Sequence, residues 1–272
     1  MSRISDAFNQ AAQHGRMTFM PFVTAGDPSA QTTAAVLKGL RDADVDLIEL
    51  GFPYSDPIAD GPVIQASYTR ALDNGVTVQS IFDTMADLRD EGLPPVLAMV
   101  SYAIVFRYGT DAFAAKAADV GFSGLIIPDL PADEAGEMSA TATTHGLDLV
   151  QLIAPTTTSD RTQQILDASS GFVYCVSVAG TTGVRKELPA ALIEQLMQLR
   201  LMTDLPLAVG FGISGPDQVA SLENVADGVI VGSAIVRLAA EAPSAEAAAE
   251  AVRAFSSEMR AAVNGVKPSR KM

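Results

Sequence analysis

The sequence is poor in the side chains on which much enzyme chemistry depends. Its 272 residues include one cysteine, Cys175, and two histidines, His14 and His145. A single cysteine excludes an internal disulfide and a cysteine metal cluster. A metal-dependent aldolase needs a cluster of histidines, and neither histidine lies at the end of a predicted strand. We therefore predict no metal site in this chain.

Positive charge is also scarce. The formal net charge is −14, which argues against nucleic acid or an anionic membrane as a partner, since both reward clustered lysine and arginine. A phosphorylated metabolite is compatible with this charge, because backbone amides can bind phosphate. Schiff-base chemistry needs a lysine at the active centre, and no lysine lies on a predicted strand. The lysines are Lys38, Lys116, Lys186, Lys267 and Lys271.

Long hydrophobic runs are missing, although 48% of the residues are hydrophobic. No apolar run approaches the about 18 residues of a membrane-spanning helix, and the first residues lack the apolar region of a signal peptide. We therefore expect a cytoplasmic protein with no membrane partner.

Short apolar segments alternate with helical patterns along the chain. Predicted strands lie at residues 18–24, 46–50, 95–100, 123–127, 148–153, 172–177, 207–209 and 228–231. Because parallel strands need crossover connections, this alternation predicts an α/β fold, a (β/α)8 TIM barrel. An extra helix is expected at residues 2–13 and a short one after strand 8. We expect a single domain, 1–272, with a loose tail after residue 264.

The alternative architecture is a doubly wound open sheet. That fold carries a G-x-G-x-x-G phosphate loop after its first strand. Residues 25–28 read Ala-Gly-Asp-Pro there, so the barrel is favoured.

Residues 48–62 contain the most unusual stretch, because a strand carrying Glu49 opens into a loop rich in proline and carboxylates. Side chains alternate along a strand, so Glu49 is predicted to face the barrel interior. Burial would raise its pKa, which suits a general acid. The loop adds Asp56 and Asp60. The alternatives are a structural glutamate paired with a base, and turn residues at both aspartates.

Three glycine-rich turns follow late strands, at residues 180–183, 210–214 and 232–233. Barrels often bind phosphate with the loops after strands 7 and 8 and the N-terminus of a short helix, which here would start at Ser233. The alternative is that these are only tight turns. With hydroxyls such as those of Tyr102, Tyr174 and Thr182, the residues point to a cofactor-free acid–base lyase or isomerase acting on a phosphorylated small molecule.

Several stretches resemble the signatures of tryptophan synthase alpha chains, and the resemblance extends over residues 4–262. They are residues 21–28, 48–62, 154–157, 171–174 and 210–214. The resemblance implies retro-aldol cleavage of indole-3-glycerol phosphate to indole and glyceraldehyde 3-phosphate, a step of tryptophan biosynthesis. It implies that Glu49 is the catalytic acid and Asp60 its catalytic partner at the indole nitrogen.

The resemblance also implies roles for other residues. Substrate contacts are expected from Phe22, Val100, Tyr102, Asp129, Tyr174, Thr182, Gly183, Phe211, Gly212, Gly232 and Ser233. The implied partner is a tryptophan synthase beta chain in an alpha2-beta2 tetramer, with Pro53 and Asp56 at the contact surface. Pyridoxal phosphate is expected only in that partner, and no cofactor in this chain. Ile104 and Thr181 depart from the usual asparagine and valine of the family.

Other functions are compatible with the same residues. They are a stand-alone indole-releasing lyase, a catalytically idle barrel that binds and regulates a beta chain, and another phosphate-binding barrel isomerase. The sequence does not decide which base deprotonates the glycerol hydroxyl.

Overall fold

The predicted TIM barrel is confirmed by a computed structural model, which describes residues 1–57, 60–176, 190–210 and 212–270. Eight parallel strands form one closed barrel in chain order. They are β1 Thr18–Thr24, β2 Ile48–Gly51, β3 Val96–Met99, β4 Phe122–Ile126, β5 Asp148–Ile153, β6 Val173–Val176, β7 Leu207–Gly210 and β8 Gly228–Val231. β1 pairs with β8, which closes the ring.

Helices follow the strands on the outside of the barrel. They are α1 Arg3–Gln13, α2 Ala30–Asp42, α3 Pro62–Asp73, α4 Val78–Asp87, α5 Tyr102–Tyr108, α6 Thr110–Asp119, α7 Ala132–Thr144, α8 Ser159–Ala168, α9 Ala190–Met202, α10 Ser233–Glu241 and α11 Ala245–Asn264, with a 3-10 helix at Pro216–Leu222. The extra helices expected before β1 and after β8 are α1 and α10. No helix in these described ranges is both long and apolar enough to cross a membrane.

Polar residues placed just before the helices set their first turns. The Ser29 hydroxyl accepts a hydrogen bond of 3.0 Å from the backbone N–H of Thr32. Before α4, Thr77 and Ser80 cap each other reciprocally, with bonds of 3.1 and 2.9 Å. Such caps satisfy donors that have no partner within a helix, so the sequence fixes where the helices begin.

The strands separate two buried clusters. Ile48 and Leu50 of β2 pack outward against the helices, in one cluster with Leu37 and Phe82. Leu47 points inward with residues from the other strands of the barrel, including Leu97 and Val150. Since side chains alternate along a strand, Glu49 lies on the inward face with Leu47, as the sequence predicts.

Two segments differ from the expectation. Residues 102–108 form α5, which the sequence did not indicate. Residues 265–270 of the tail are held along the bottom of the barrel rather than loose. Its Val266 carbonyl accepts from the N–H of Met17 at 3.1 Å, and the N–H of Ser269 donates to Ala226 at 3.0 Å. The reason is that these backbone groups complete the bonding of the segments entering β1 and β8.

Candidate active site

A cavity of about 210 Å³ opens at the carboxyl ends of the strands. Its walls come from strands on opposite sides of the barrel, from the loop before α3 and from the segment after β7. The lining residues are Phe22, Glu49, Asp60, Gly61, Ile64, Met99, Tyr174, Gly212, Ile213, Ser214, Ile230, Gly232 and Ser233. The cavity therefore brings together both predicted catalytic carboxylates and five of the predicted substrate contacts, Phe22, Tyr174, Gly212, Gly232 and Ser233.

Glu49 is fully buried at the base of this cavity. It lies between Phe22 of β1 and Leu97 of β3 in the strand register. Neither of its carboxyl oxygens has a hydrogen-bond partner within the described residues. Burial raises the pKa of Glu49 well above its ordinary value. Within the described part of the chain no base is paired with Glu49, so the alternative of a structural glutamate is not supported. The raised pKa suits this carboxyl group to donating a proton.

Asp60 approaches the cavity from the loop that precedes α3. Its backbone N–H donates to the Pro57 carbonyl at 3.1 Å, and its own carbonyl accepts from the Gln65 side chain at 2.7 Å. Burial raises the pKa of Asp60 to about 6, while the nearby Tyr54 hydroxyl opposes that rise. At neutral pH this group is therefore mostly ionised.

Aromatic rings form flat walls above the carboxylates, and glycines make room for them. A methyl group on Gly51 would overlap the Phe22 ring and lie 2.9 Å from the Tyr68 hydroxyl. A methyl on Gly210 would overlap the hydroxyl end of Tyr174. The cavity is therefore shaped for a planar apolar group lying close to Glu49.

The opposite end of the cavity is built from backbone. Gly212 has φ +92°, a left-handed conformation that favours glycine. The Gln218 side chain fixes this turn by accepting from the Ser214 N–H at 2.7 Å and donating to the Gly212 carbonyl at 3.2 Å. Gly232 precedes Ser233, the first residue of α10, whose first N–H groups have no partner within the helix. Such an end can bind an anion through its backbone.

Three predicted substrate contacts are not among the residues that line this cavity, and they stay predictions. Val100 packs into the outer cluster, because alternation past the end of β3 turns its neighbour Met99 into the cavity. The Tyr102 hydroxyl instead donates to Glu134 at 3.1 Å, outside the cavity. Asp129 accepts from the Ser101 hydroxyl and the Tyr102 N–H, both at 2.7 Å, and so fixes the start of α5.

The remaining predicted residues are divided between surface, interior and undescribed segments. Asp56 is exposed and accepts from the Ser55 hydroxyl at 2.8 Å. Pro53 is buried. Thr182, Gly183 and Phe211 lie outside the described residues.

Sequence reasoning missed two tyrosines beside the carboxylates. Tyr54 follows β2 in the same loop as Asp60, and Tyr68 lies on α3. Their ring centroids are 5.5 Å apart. The available signal was the position of Tyr54 between the strand of Glu49 and Asp60.

Comparison with known proteins identifies the family. The sequence model described as "Tryptophan synthase alpha chain" matches residues 8–264. The chain belongs to the tryptophan synthase alpha chain family. It is 47% identical over 245 residues to the tryptophan synthase alpha chain of Rhodopirellula baltica, covering 89% of this chain and 88% of that one. It is 45% identical over 264 residues to that of Picosynechococcus sp., covering 97% and 100%.

Solved structures agree with this membership. The tryptophan synthase subunit alpha of Legionella pneumophila superposes with a TM-score of 0.88 at 34% identity, covering 98% of this chain and 100% of that one. A chain in the structure of Mycobacterium tuberculosis tryptophan synthase gives a TM-score of 0.88 at 35% identity, covering 97% and 98%. Membership of the tryptophan synthase alpha family makes this chain an enzyme of tryptophan biosynthesis, a carbon–carbon lyase.

Proposed function

We propose that this chain cleaves indole-3-glycerol phosphate to indole and glyceraldehyde 3-phosphate by carboxylate acid–base catalysis. The observation that carries this proposal is the buried Glu49 carboxyl, unpartnered within the described residues, in one cavity with Asp60 and a backbone-built anion end. Retro-aldol cleavage needs an acid for the leaving carbon, a stabiliser for charge on the ring and a site for the phosphate. The cavity holds a candidate for each.

The two carboxylates have complementary tasks in this reaction. Glu49 donates its proton to C3 of the indole ring, which makes the ring a competent leaving group. Positive charge then develops on the ring nitrogen, and the Asp60 carboxylate accepts the N1 hydrogen and stabilises that charge. Burial raises the pKa of Glu49 well above its ordinary value, which suits it to donating a proton, while the pKa of about 6 leaves Asp60 mostly ionised at neutral pH.

A base must then remove the proton of the glycerol hydroxyl beside the breaking bond. That O–H bond breaks as the aldehyde C=O bond forms, and the electron pair of the cleaved C–C bond returns to the indole ring and restores its aromaticity. Glu49, ionised after its first transfer, is the base we propose for this step. One residue thereby acts first as an acid and then as a base.

The two ends of the cavity bind different parts of the substrate. Phe22 and Tyr174 contact the indole ring, Met99 lies beside them in the cavity lining, and Val100 contributes to the same end, as the family resemblance implies. The backbone of Gly212, Gly232 and Ser233 binds the phosphate. We also propose that Thr182, Gly183 and Phe211 contribute to the same site, as the family resemblance implies.

The chain acts, in this proposal, as the alpha subunit of a tryptophan synthase. Its partner is a beta chain that holds pyridoxal phosphate and receives the indole, in an alpha2-beta2 tetramer. The exposed Asp56 lies on the contact surface, and the buried Pro53 shapes the loop behind it. We further propose that residues 1–272 act as one domain and that the complex works in the cytoplasm.

Indole release from indole-3-glycerol phosphate tests the proposal. The purified chain should release indole, Glu49→Gln should abolish release, and Asp60→Asn should strongly reduce it. The control is Glu194→Gln, at an exposed position of α9, which should behave like the wild type. Full activity in folded Glu49→Gln would overturn the acid assignment.

Adding a beta chain separates an alpha subunit from a stand-alone lyase. An alpha subunit should release indole faster when the beta chain is present. An unchanged rate would contradict the proposed beta-chain partner. No turnover even in the complex would favour the alternative of a catalytically idle barrel that binds and regulates a beta chain.

A further inference from the structure

The turn at residues 212–214 is fixed by a side chain that lies outside the cavity lining. The Gln218 amide oxygen accepts from the Ser214 N–H at 2.7 Å and from the Ser214 hydroxyl at 3.1 Å, and the amide nitrogen donates to the Gly212 carbonyl at 3.2 Å. A backbone N–H can only donate and a carbonyl can only accept, so these partners determine which way the amide faces. Gln218 is not among the residues that line the cavity, whereas Gly212 and Ser214 are.

A short helix on the outside of the barrel holds Gln218 in place. Gln218 belongs to the 3-10 helix Pro216–Leu222, which packs against α11. Val219 and Leu222 of this helix are fully buried in the outer cluster. The turn is therefore attached, through one amide group, to an element whose position is determined by the packing of the barrel.

The hydrogen bond to Gly212 determines which edge of its peptide group can meet a ligand. In a planar trans peptide the C=O and the following N–H point in opposite directions. The Gly212 carbonyl points to Gln218, so the N–H of Ile213 points away from Gln218. Ile213 lines the cavity, and its N–H makes no hydrogen bond within the described residues. With the peptide turned over, a partially negative carbonyl oxygen would take the place of that donor.

We propose that Gln218 is a positioning residue for the phosphate group of the substrate: its amide holds the Gly212 carbonyl away from the anion and keeps N–H groups of the turn directed to it. The inference rests on the proposed function, which assigns the phosphate to this end of the cavity. Gly212, with φ +92°, has the left-handed conformation that anion-binding turns use. Glycine is also the residue with the most conformational freedom, so the turn needs a support from outside.

The binding of two probes tests the proposal without relying on turnover. Glycerol 3-phosphate carries the phosphate and no ring, and indole carries the ring and no phosphate. Gln218→Met keeps the length of the side chain and removes both polar atoms of the amide. We expect calorimetry to show an affinity of this variant for glycerol 3-phosphate about tenfold lower than that of the wild type, the effect of losing one or two hydrogen bonds. The affinity for indole should stay unchanged.

A second variant separates the two halves of the amide. Gln218→Glu can still accept from the Ser214 N–H, but its carboxylate cannot donate to the Gly212 carbonyl and repels an anion nearby. We therefore expect it to bind glycerol 3-phosphate more weakly than Gln218→Met does. The matched control is Gln163→Met on α8, which removes an exposed amide that donates to Asp167 at 2.8 Å and should leave both affinities unchanged.

Turnover adds a comparison of KM with kcat. In Gln218→Met the KM for indole-3-glycerol phosphate should rise about tenfold with a much smaller change in kcat, because the phosphate is remote from the bond that breaks. Equal losses of affinity for glycerol 3-phosphate and for indole would show a merely structural role and would overturn the proposal.

The outcomes separate this proposal from the proposed function. An unchanged affinity of folded Gln218→Met for glycerol 3-phosphate would overturn the positioning role even if the enzyme releases indole. A wild type that releases no indole, alone or with a beta chain, while Gln218→Met weakens phosphate binding, would overturn the function and leave the positioning role standing. Should Gln218→Met not fold, Gln218→Glu decides, because it keeps the bond from Ser214, and an undiminished affinity there would contradict the proposal.

Discussion

Arg70 donates two hydrogen bonds, of 2.9 and 2.7 Å, to the buried carboxylate of Asp27. The pair joins α3 to the turn after β1. Beside it, the hydroxyls of Thr24 and Ser67 bond each other at 2.7 Å. Because α3 begins directly after the Asp60 loop, these contacts fix that loop relative to the barrel.

Breaking the ion pair should therefore destabilise the protein. In Arg70→Ala the Asp27 carboxylate, 2% exposed, is left without its cation. We expect a loss of about 2–3 kcal/mol in the free energy of unfolding, somewhat less than for a fully buried pair because Arg70 is 41% exposed. Urea denaturation of the wild type and of Arg70→Ala measures this loss. The control is Arg253→Ala, which removes an exposed pair with Glu250 and should cost much less stability. Equal losses in the two variants would contradict the prediction.

Glu49 should make stability depend on pH. Its raised pKa means that the folded protein keeps a proton that the unfolded chain has already released above its ordinary pKa of 4.5. Stability therefore falls as the pH rises from that value through the folded pKa. Glu49→Gln cannot ionise, so its free energy of unfolding should fall less between about pH 5 and about pH 8 than that of the wild type.

Urea denaturation at several pH values checks this difference. Asp60, with a pKa raised to about 6, contributes a fall of the same sign to both proteins and cancels in the comparison. Parallel curves for Glu49→Gln and the wild type would show that Glu49 ionises in the folded state as easily as in water.

Gly51 and Gly210 should not tolerate alanine. In Gly51→Ala the new methyl meets the Phe22 ring, and in Gly210→Ala it meets Tyr174, so the aromatic walls must move. We expect each variant to lose about 1–3 kcal/mol of stability and most of its indole release. Gly136→Ala is the control, because nothing lies within 4 Å of its added methyl and it sits in α7. That variant should be more stable by roughly 0.5–1 kcal/mol. Thermal melts compare the stability of the three variants, and the indole assay compares their activity.

The bound tail should contribute to stability. The buried carboxylate of Asp227 accepts from Ser269 and from the Arg270 N–H, at 2.9 and 2.8 Å. A chain that ends after Pro268 loses both bonds, and we expect a loss of about 1–3 kcal/mol in urea denaturation. Removal of only residues 271–272 keeps both bonds and serves as the control. Unchanged stability after the longer truncation would mean that the tail contributes nothing.

The barrel could be predicted from the sequence because its strands are short, apolar and separated by helical patterns. β1 was predicted with its observed bounds, Thr18–Thr24. Residues 102–108 were missed, because they are rich in aromatic and β-branched residues, a composition that does not favour helix. A tertiary contact favours the helix here, because Asp129, which follows another strand, accepts a hydrogen bond from the first turn of α5.

The candidate site could be predicted where the position of a residue in one strand or turn determines whether it reaches the cavity. Glu49 follows from alternation along β2, and Gly232 and Ser233 follow from a glycine-rich turn before a helix. Val100 stays a prediction: it packs in the outer cluster, while Met99, one residue earlier, lines the cavity, because a shift of one residue turns a side chain to the other face. Tyr54 and Tyr68 were missed because their contact joins a loop and a helix, and no local pattern shows it.

Because β1 pairs with β8, the barrel can close only late in the synthesis of the chain. Phe22 comes from near the start of the chain, while Gly232 and Ser233 come from near its end, and they line the same cavity. Thr18 finds its neighbour Gly228 only after the last strand has been made. A ribosome-bound chain therefore contains Glu49 long before the cavity around it can be complete, and we expect activity only when translation is nearly finished.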